Sequence, residues 1–170
     1  YHFKFYRNDL TAWALVDGVG HRGSRCVHLS ADQGIKSNQA TCKIAPGEWD
    51  LDAYPIVRFA YRIPPGVPVA IALEPFVTRG LPRGVVVGGT PAHQAGPYVS
   101  IDRYRLVGDG EWHTLSLDAR VVREAIPDLR YLRMFLFHLG WGAKPATPYE
   151  FWFDDFAIED ELYIVEGDLT

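Results

Sequence analysis

Two adjacent aspartates, Asp154 and Asp155, lie among aromatic residues in the segment FWFDDFAIED near the end of the chain. Residues two apart share a face of a β-strand, so one row of this segment contains Trp152, Asp154, Phe156 and Ile158. We expect that row to face the core, because it combines two aromatic rings with a β-branched side chain. A buried carboxylate without a partner is costly, so Asp154 needs a cation, an arginine or several N–H donors.

Two kinds of partner fit this acid. A pocket of aspartate and carbonyl oxygens favours Ca²⁺ over zinc, because hard divalent cations prefer oxygen ligands. The alternative is an ion pair with an arginine such as Arg22 or Arg25. The six histidines lack the spacing of a zinc site.

The composition excludes several classes of protein. The 170 residues are 48% hydrophobic and 14% aromatic, which predicts a single folded domain over residues 1–170. No apolar run approaches the roughly 20 residues of a membrane helix. The net charge of −4, without a basic block, argues against nucleic acid and anionic membranes as main partners. The chain begins at Tyr1 without Met or a leader, so we expect a mature fragment or an excised domain.

Short β-rich runs separated by glycine and proline recur along the chain, which predicts an all-β sandwich or barrel. In WHTLSLD, Leu115 and Leu117 share one face while Thr114 and Ser116 share the other. One segment, DARVVREAIPDL, predicts a short helix that begins after an Asp118 N-cap and lies over one end of the sandwich.

The two cysteines, Cys26 and Cys42, flank a segment that predicts two short strands around a turn at residues 32–34. Their midpoint is residue 34, so a symmetric hairpin would place the thiols opposite each other. Opposed Cβ atoms lie about 4.5–5.5 Å apart, which small twists can close to a disulfide. A bridge would imply an oxidising compartment. The alternative is two buried, unpaired thiols.

Three segments resemble β-jelly-roll carbohydrate-binding modules. YEFWFDDFAI resembles their closing strand, which ends in Asp-Asp, and DLTAWALVDGVGHRGSRCVHLS resembles their opening strands around a glycine-rich turn. DGEWHTLSLD is similar to the strand that carries a structural tryptophan in those modules. The resemblance spans most of the chain and implies a jelly-roll β-sandwich of two antiparallel sheets with one short helix.

In such modules a structural Ca²⁺ commonly lies between the turn after the first strand and the first aspartate of the closing pair. The resemblance therefore implies Ca²⁺ at Asp154, with carbonyl ligands from residues 17–25 and a second carboxylate from Asp9 or Asp17. The acid often found at the start of the first strand is missing from HFKF.

Sugar recognition requires an aromatic ring that stacks on a pyranose and polar groups that bond its hydroxyls. Trp141 lies in the glycine- and proline-rich segment HLGWGAKPATP, so we expect it on a loop as the stacking platform, or as a lid over the sheet edge. Three other tryptophans are expected to be structural: Trp13, Trp112 and Trp152. Further ligand-binding candidates are Tyr104, His138, Arg103, Arg105, His93 and Gln94. The arginines among them would suit an anionic glycan.

These features predict a non-catalytic polysaccharide-binding module of a larger secreted protein. One alternative is an enzyme on the same fold. GEWDLD places Glu48, Asp50 and Asp52 at spacing two and resembles the acidic strand of laminarinase-type hydrolases, although the flanking glycine and proline favour a turn. A polysaccharide lyase would instead use a Tyr or His base beside an arginine. A third alternative is a structural sandwich that binds no sugar.

Overall fold

The computed structural model describes residues 4–6, 11–31, 41–76, 80–139 and 149–161. Their β-strands are β1 Lys4–Tyr6, β2 Thr11–Val16, β3 Cys26–Ala31, β4 Thr41–Ala45, β5 Trp49–Asp50, β6 Ile56–Arg62, β7 Val69–Pro75, β8 Val85–Gly89, β9 Val99–Arg105, β10 Trp112–Asp118, β11 Tyr131–Leu139 and β12 Tyr149–Glu159. No helix in these ranges is long and apolar enough to cross a membrane.

The strands form two sheets that pack face to face, so the predicted β-sandwich is confirmed. The larger sheet has the order β1-β4-β11-β7-β8-β9, with β5 also paired to β11. The smaller sheet has the order β10-β6-β12-β3-β2. The strand pairs are antiparallel apart from β8 and β9, which run parallel. A parallel pair needs a connection that returns the chain to the first end, and residues 90–98 supply it.

Aromatic side chains from both sheets fill the space between them. Phe59 of β6 meets Phe137 of β11 edge-on at 5.0 Å between ring centroids, and Phe137 lies 4.8 Å from Phe151 of β12. All three rings are fully buried. Aromatic pairs of this kind add about 0.5–1.5 kcal/mol each beyond the burial of their area, so contacts among β6, β11 and β12 join the two sheets at the centre of the fold.

A β-bulge in β12 overturns the prediction that one alternating row of this segment faces the core. Between Asp154 and Ala157 two residues oppose one residue of β6, and Asp155 takes a left-handed conformation with φ of 50°. The extra residue resets the alternation. Phe151 and Phe153 therefore point inward before the bulge, whereas Asp154 lies on the outer side of the smaller sheet.

The predicted short helix is present as a 3₁₀ helix over Ala119–Glu124. Asp118 caps it as expected, since its carboxylate accepts a hydrogen bond of 2.8 Å from the backbone N–H of Arg120. Ala119 and Val122 are buried against the core, so the helix covers the sandwich as the sequence pattern predicts.

The predicted disulfide hairpin is wrong. Cys26 lies in β3 of the smaller sheet and Cys42 in β4 of the larger sheet, and both thiols are free and buried. Cys42 points into the core between the sheets, whereas Cys26 alternates with the core residues Val27 and Leu29 and so faces the other side of its sheet. Burial raises the pKa of the Cys42 thiol to about 12, which leaves it an unreactive apolar side chain.

Candidate functional site

The outer face of the larger sheet carries an open groove, which we call the outer groove. Its cavity of about 460 Å³ lies beside β4 and β11 and is lined by Lys43, Ala45, Gly47, Phe76, Arg133 and Met134. A register shift between Leu132 and Met134 interrupts the alternation of β11, and Arg133 and Met134 both line the cavity. Phe76 follows the end of β7 and keeps 45% of its surface exposed. The groove thus combines two cations with an open aromatic ring.

A buried carboxylate anchors one side of this groove. Glu74 of β7 is only 1% exposed and accepts a hydrogen bond of 2.6 Å from Arg133 and a second one from the Tyr98 hydroxyl. Burial, together with the adjacent Glu74 carboxylate, raises the pKa of Tyr98, so the phenol keeps its proton and donates. The two donors offset the cost of burying the charge and fix Arg133 at the groove.

Residues 90–98 cross the outer face of the larger sheet beside the groove. Small residues in the sheet, Ala70 and Gly89, leave room for this crossing, because a Cβ atom at Gly89 would lie 2.8 Å from the His93 ring. The ring nitrogens of His93 lie 2.5 Å from the Thr90 carbonyl and 2.7 Å from Asp102. The crossing segment is therefore held by a hydrogen bond within itself and by one to β9.

The ligand-binding residues predicted from the sequence do not form one site among the described residues. Arg103 forms an ion pair of 2.9 Å with Glu124, and the Tyr104 hydroxyl accepts from the backbone N–H of Asp118 at 2.9 Å. Gln94 is exposed on the crossing segment that also holds His93. Arg105 lines another cavity of about 520 Å³. The predicted platform Trp141 lies outside the described residues.

His138 lies on the outer face of β11 and is only 4% exposed. Burial and, to a lesser extent, the nearby charge of Lys43 lower the pKa of its imidazole to about 3. The ring is therefore neutral at physiological pH. Because it is buried on the outer face of β11, it belongs to the packing of the sheet and is not an exposed ligand-binding group.

We expect His138 to make the fold sensitive to acid. The unfolded chain takes up a proton on this imidazole near pH 6.5, but the folded chain does so only near pH 3. Stability is therefore complete above pH 6.5 and falls as the pH drops towards 3, by about 2 kcal/mol between pH 7 and pH 5. Urea unfolding across this range measures the slope. His138→Asn should flatten this slope, and an unchanged slope in His138→Asn would contradict the assignment.

Four residues that the proposed site uses in the groove or its wall were missed from the sequence: Lys43, Phe76, Glu74 and Arg133. Glu74 had a signal, because it is the one charged residue in the apolar run VPVAIALEPF and so had to be buried with a partner. Phe76 and Arg133 had none, since their outward direction depends on the end of β7 and on the register shift in β11.

On the other sheet, Asp154 accepts hydrogen bonds from the turn that precedes β3, a set of contacts we call the Asp154 latch. Its Oδ2 accepts from the backbone N–H of His21 at 3.1 Å and from the Ser24 hydroxyl, and its Oδ1 accepts from the Asp155 N–H at 2.8 Å. The turn needs glycine at position 20, because a Cβ there would lie 2.6 Å from Oδ2. The latch joins the turn before β3 to β12. The resemblance had implied a connection at this place through Ca²⁺, whereas the described contacts are hydrogen bonds.

The described residues around Asp154 do not by themselves fit a calcium ion. Calcium takes six to eight oxygen ligands, whereas the described contacts of both oxygens of this carboxylate are with N–H and O–H donors. Asp17 pairs with Arg25 at 2.5 Å, and Asp9 lies outside the described residues. Within the described ranges no three His, Cys, Asp or Glu side chains gather as a metal site. Calcium at Asp154 stays a prediction.

Comparison with known proteins bears on the fold. No protein-family model matches the chain, and no curated protein matches it. Solved structures do match. The xylan-binding domain CBM22-2 of Paenibacillus barcinonensis Xyn10C aligns over 93% of this chain and 91% of its own, with 14% identity and a TM-score of 0.53.

Two modules of Clostridium thermocellum cellulosomal cellulases give similar results. The family 11 carbohydrate-binding module of Lic26A-Cel5E aligns over 94% of this chain and 88% of its own, with 10% identity and a TM-score of 0.54. The family 30 module of Cel9D-Cel44B aligns over 94% and 90%, with 12% identity and a TM-score of 0.55. The chain has the β-sandwich fold of carbohydrate-binding modules. At these identities the likeness extends to the fold alone, so any ligand has to be argued from the groove itself.

Proposed function

We propose that this chain is a non-catalytic polysaccharide-binding module that takes a glycan chain along the outer groove. The observation that carries the proposal is the exposed Phe76 ring beside Lys43 and Arg133 in an open groove on this fold. An exposed aromatic ring can stack on the face of a sugar, and the two cations can donate hydrogen bonds to its hydroxyls. An open groove suits a chain better than a single sugar.

The same residues argue against hydrolysis. A glycosidase needs two carboxyl groups on either side of the scissile bond. Glu74 is buried and bonded to Tyr98 and Arg133, so it does not reach a glycosidic oxygen. In GEWDLD, β5 ends at Asp50 and a turn follows, and both Asp50 and Asp52 pair with arginines, Arg130 and Arg123. These acids therefore support the turn.

The similar modules come from larger carbohydrate-active proteins, and we propose the same setting here: a secreted or cell-surface protein in which this module holds neighbouring domains against a polysaccharide. Xylan is the first probe to use, since one of the similar modules is xylan-binding. Soluble cellulose derivatives follow, since two of them belong to cellulases.

Phe76→Ala is expected to weaken polysaccharide binding at least tenfold, because it removes the exposed ring of the groove. Retardation in affinity gels that contain xylan or hydroxyethylcellulose measures the effect. Val107→Ala is the matched control, since Val107 is also 45% exposed but lies away from the groove. Trp141→Ala tests the platform predicted from the sequence in the same gels. Equal retardation of Phe76→Ala and wild type, or release of reducing ends from either polysaccharide, would contradict the proposal.

A further inference from the structure

A second cavity lies over the outer face of the smaller sheet, on the opposite side of the sandwich from the outer groove. It has a volume of about 880 Å³, within the range of small-ligand sites. We call it the bulge cavity, because the bulge of β12 lies beside it. The polar side chains in its lining are His21, Arg22, Arg58, Thr114, Ser116 and Asp155.

The β10 side of this cavity presents two hydroxyl groups. Thr114 and Ser116 are exposed and alternate with Leu115 and Leu117, which point towards the core. Side chains two apart in a strand lie about 7 Å from each other on one face. The two hydroxyls can therefore bond different groups of the same small polar ligand.

The opposite side holds an oriented imidazole. His21 Nδ1 lies 2.9 Å from Asp155 Oδ2, and the left-handed backbone of Asp155 in the bulge places that carboxylate beside the cavity. This contact uses one ring nitrogen of His21 and leaves the other for a ligand. A bulge in a strand commonly serves to redirect a side chain in this way.

Arg22 supplies a cation that has no carboxylate partner among the described residues. Among the residues that the structure describes it forms no ion pair, whereas Arg25 in the same turn pairs with Asp17 and Arg58 pairs with Glu159 at 2.6 Å. Its backbone has φ of 58°, a conformation that glycine or asparagine adopts more easily. Arg22 and Asp155 are two of the four non-glycine residues with positive φ in the described chain, and both line this cavity. Strained residues concentrate at functional sites.

We propose that the bulge cavity is a second saccharide site that takes one acidic sugar residue, pairing its carboxylate with Arg22 and its hydroxyls with Thr114, Ser116 and His21. A guanidinium matches the planar carboxylate of a uronate, and hydroxyl and imidazole groups match ring hydroxyls. The site is independent of the outer groove, because the two lie on opposite faces of the sandwich. A module with both sites would hold two glycan segments at once and gain avidity on an acidic polysaccharide.

Methyl glucuronide and methyl glucoside form a matched pair of probes, since they differ only at C6, which is a carboxylate in the first and a hydroxymethyl group in the second. Titration of the folded chain with each, followed by calorimetry and by amide NMR shifts, tests the site. We expect the glucuronide to bind at least tenfold more tightly and to shift the amides of Thr114 and Ser116. Arg22→Ala should weaken glucuronide binding at least tenfold, whereas Arg25→Ala and Phe76→Ala should leave it within twofold.

Arg22→Gly repeats the test with a residue that adopts the left-handed backbone easily, so a loss of binding in this variant is not a loss of folding. Equal binding of both sugars, or wild-type affinity in Arg22→Gly, would overturn the proposal. So would shifts that map to Lys43 and Met134, because the sugar would then lie in the outer groove. If xylan did not bind at Phe76, the proposed function of the outer groove would fail, but the glucuronide test of the bulge cavity would still stand.

Discussion

Replacing Glu74 with alanine is expected to lower the free energy of unfolding by about 3–5 kcal/mol. The carboxylate is 1% exposed and accepts from both Tyr98 and Arg133. Its removal leaves a phenol and a guanidinium without their acceptor and opens a void beside them. Because Tyr98 ends the segment that crosses the larger sheet, the wall of the outer groove should loosen as well. Urea unfolding followed by circular dichroism measures the change.

Two variants separate the buried carboxylate from a general loss of charge. Glu48→Ala removes an exposed acid and should change stability by less than about 0.5 kcal/mol. Tyr98→Phe removes one of the two donors to Glu74 and should cost about 1.5–3 kcal/mol. If Glu74→Ala cost no more than Glu48→Ala, the buried cluster would not stabilise this face and the groove wall would need another support.

Replacing Asp154 with alanine is expected to lower the free energy of unfolding by about 2–4 kcal/mol. The latch satisfies the His21 and Asp155 N–H groups and the Ser24 hydroxyl with one charged acceptor, and it ties the turn before β3 to β12. Asp155→Asn is the control, because that carboxylate is 60% exposed and, among the described residues, bonds the His21 ring. Asparagine also tolerates the left-handed backbone of this position, which alanine would strain. This substitution should cost less than about 1 kcal/mol. A loss in Asp154→Ala no larger than in Asp155→Asn would contradict the latch.

Thermal unfolding of the wild type and of Asp154→Ala, with and without calcium, distinguishes a hydrogen-bonded Asp154 from a calcium ligand. A latch made of N–H and O–H donors predicts the same melting temperature in EDTA and in CaCl₂. A melting temperature that rises with calcium, and that stops doing so in Asp154→Ala, would establish the metal site predicted from the sequence. Asp9, which lies outside the described residues, would then be the first additional carboxylate to test.

Local patterns were predicted well where one sheet face alternates without interruption. Leu115 and Leu117 turn inward while Thr114 and Ser116 stay exposed, and Asp118 caps the helix that follows. The same rule failed in β12, because a single extra residue at the bulge exchanged the two faces partway along the strand. Nothing in the local composition marks the position of such a bulge.

Non-local pairing explains the other failures. Cys26 and Cys42 lie at matching distances from a turn, but their strands pair with β12 and β11 and join different sheets. The candidates Arg103, Tyr104 and His138 are polar residues in strands. In the structure Arg103 forms an ion pair with Glu124, Tyr104 accepts a backbone hydrogen bond, and His138 is buried on the outer face of β11. Residue type predicted their chemistry, and strand order decided their neighbours.

By itself, the sequence determined that this chain is a β-sandwich, because short alternating runs between glycine and proline are local properties. The link between the turn before β3 and β12 at Asp154 was implied by the resemblance to carbohydrate-binding modules, and the alternation in β12 did not predict it. Only the tertiary structure decided where open cavities lie. The outer groove depends on the register shift in β11, and the bulge cavity depends on how β12 crosses β6. Both arise from pairing between distant segments, which local propensity does not encode.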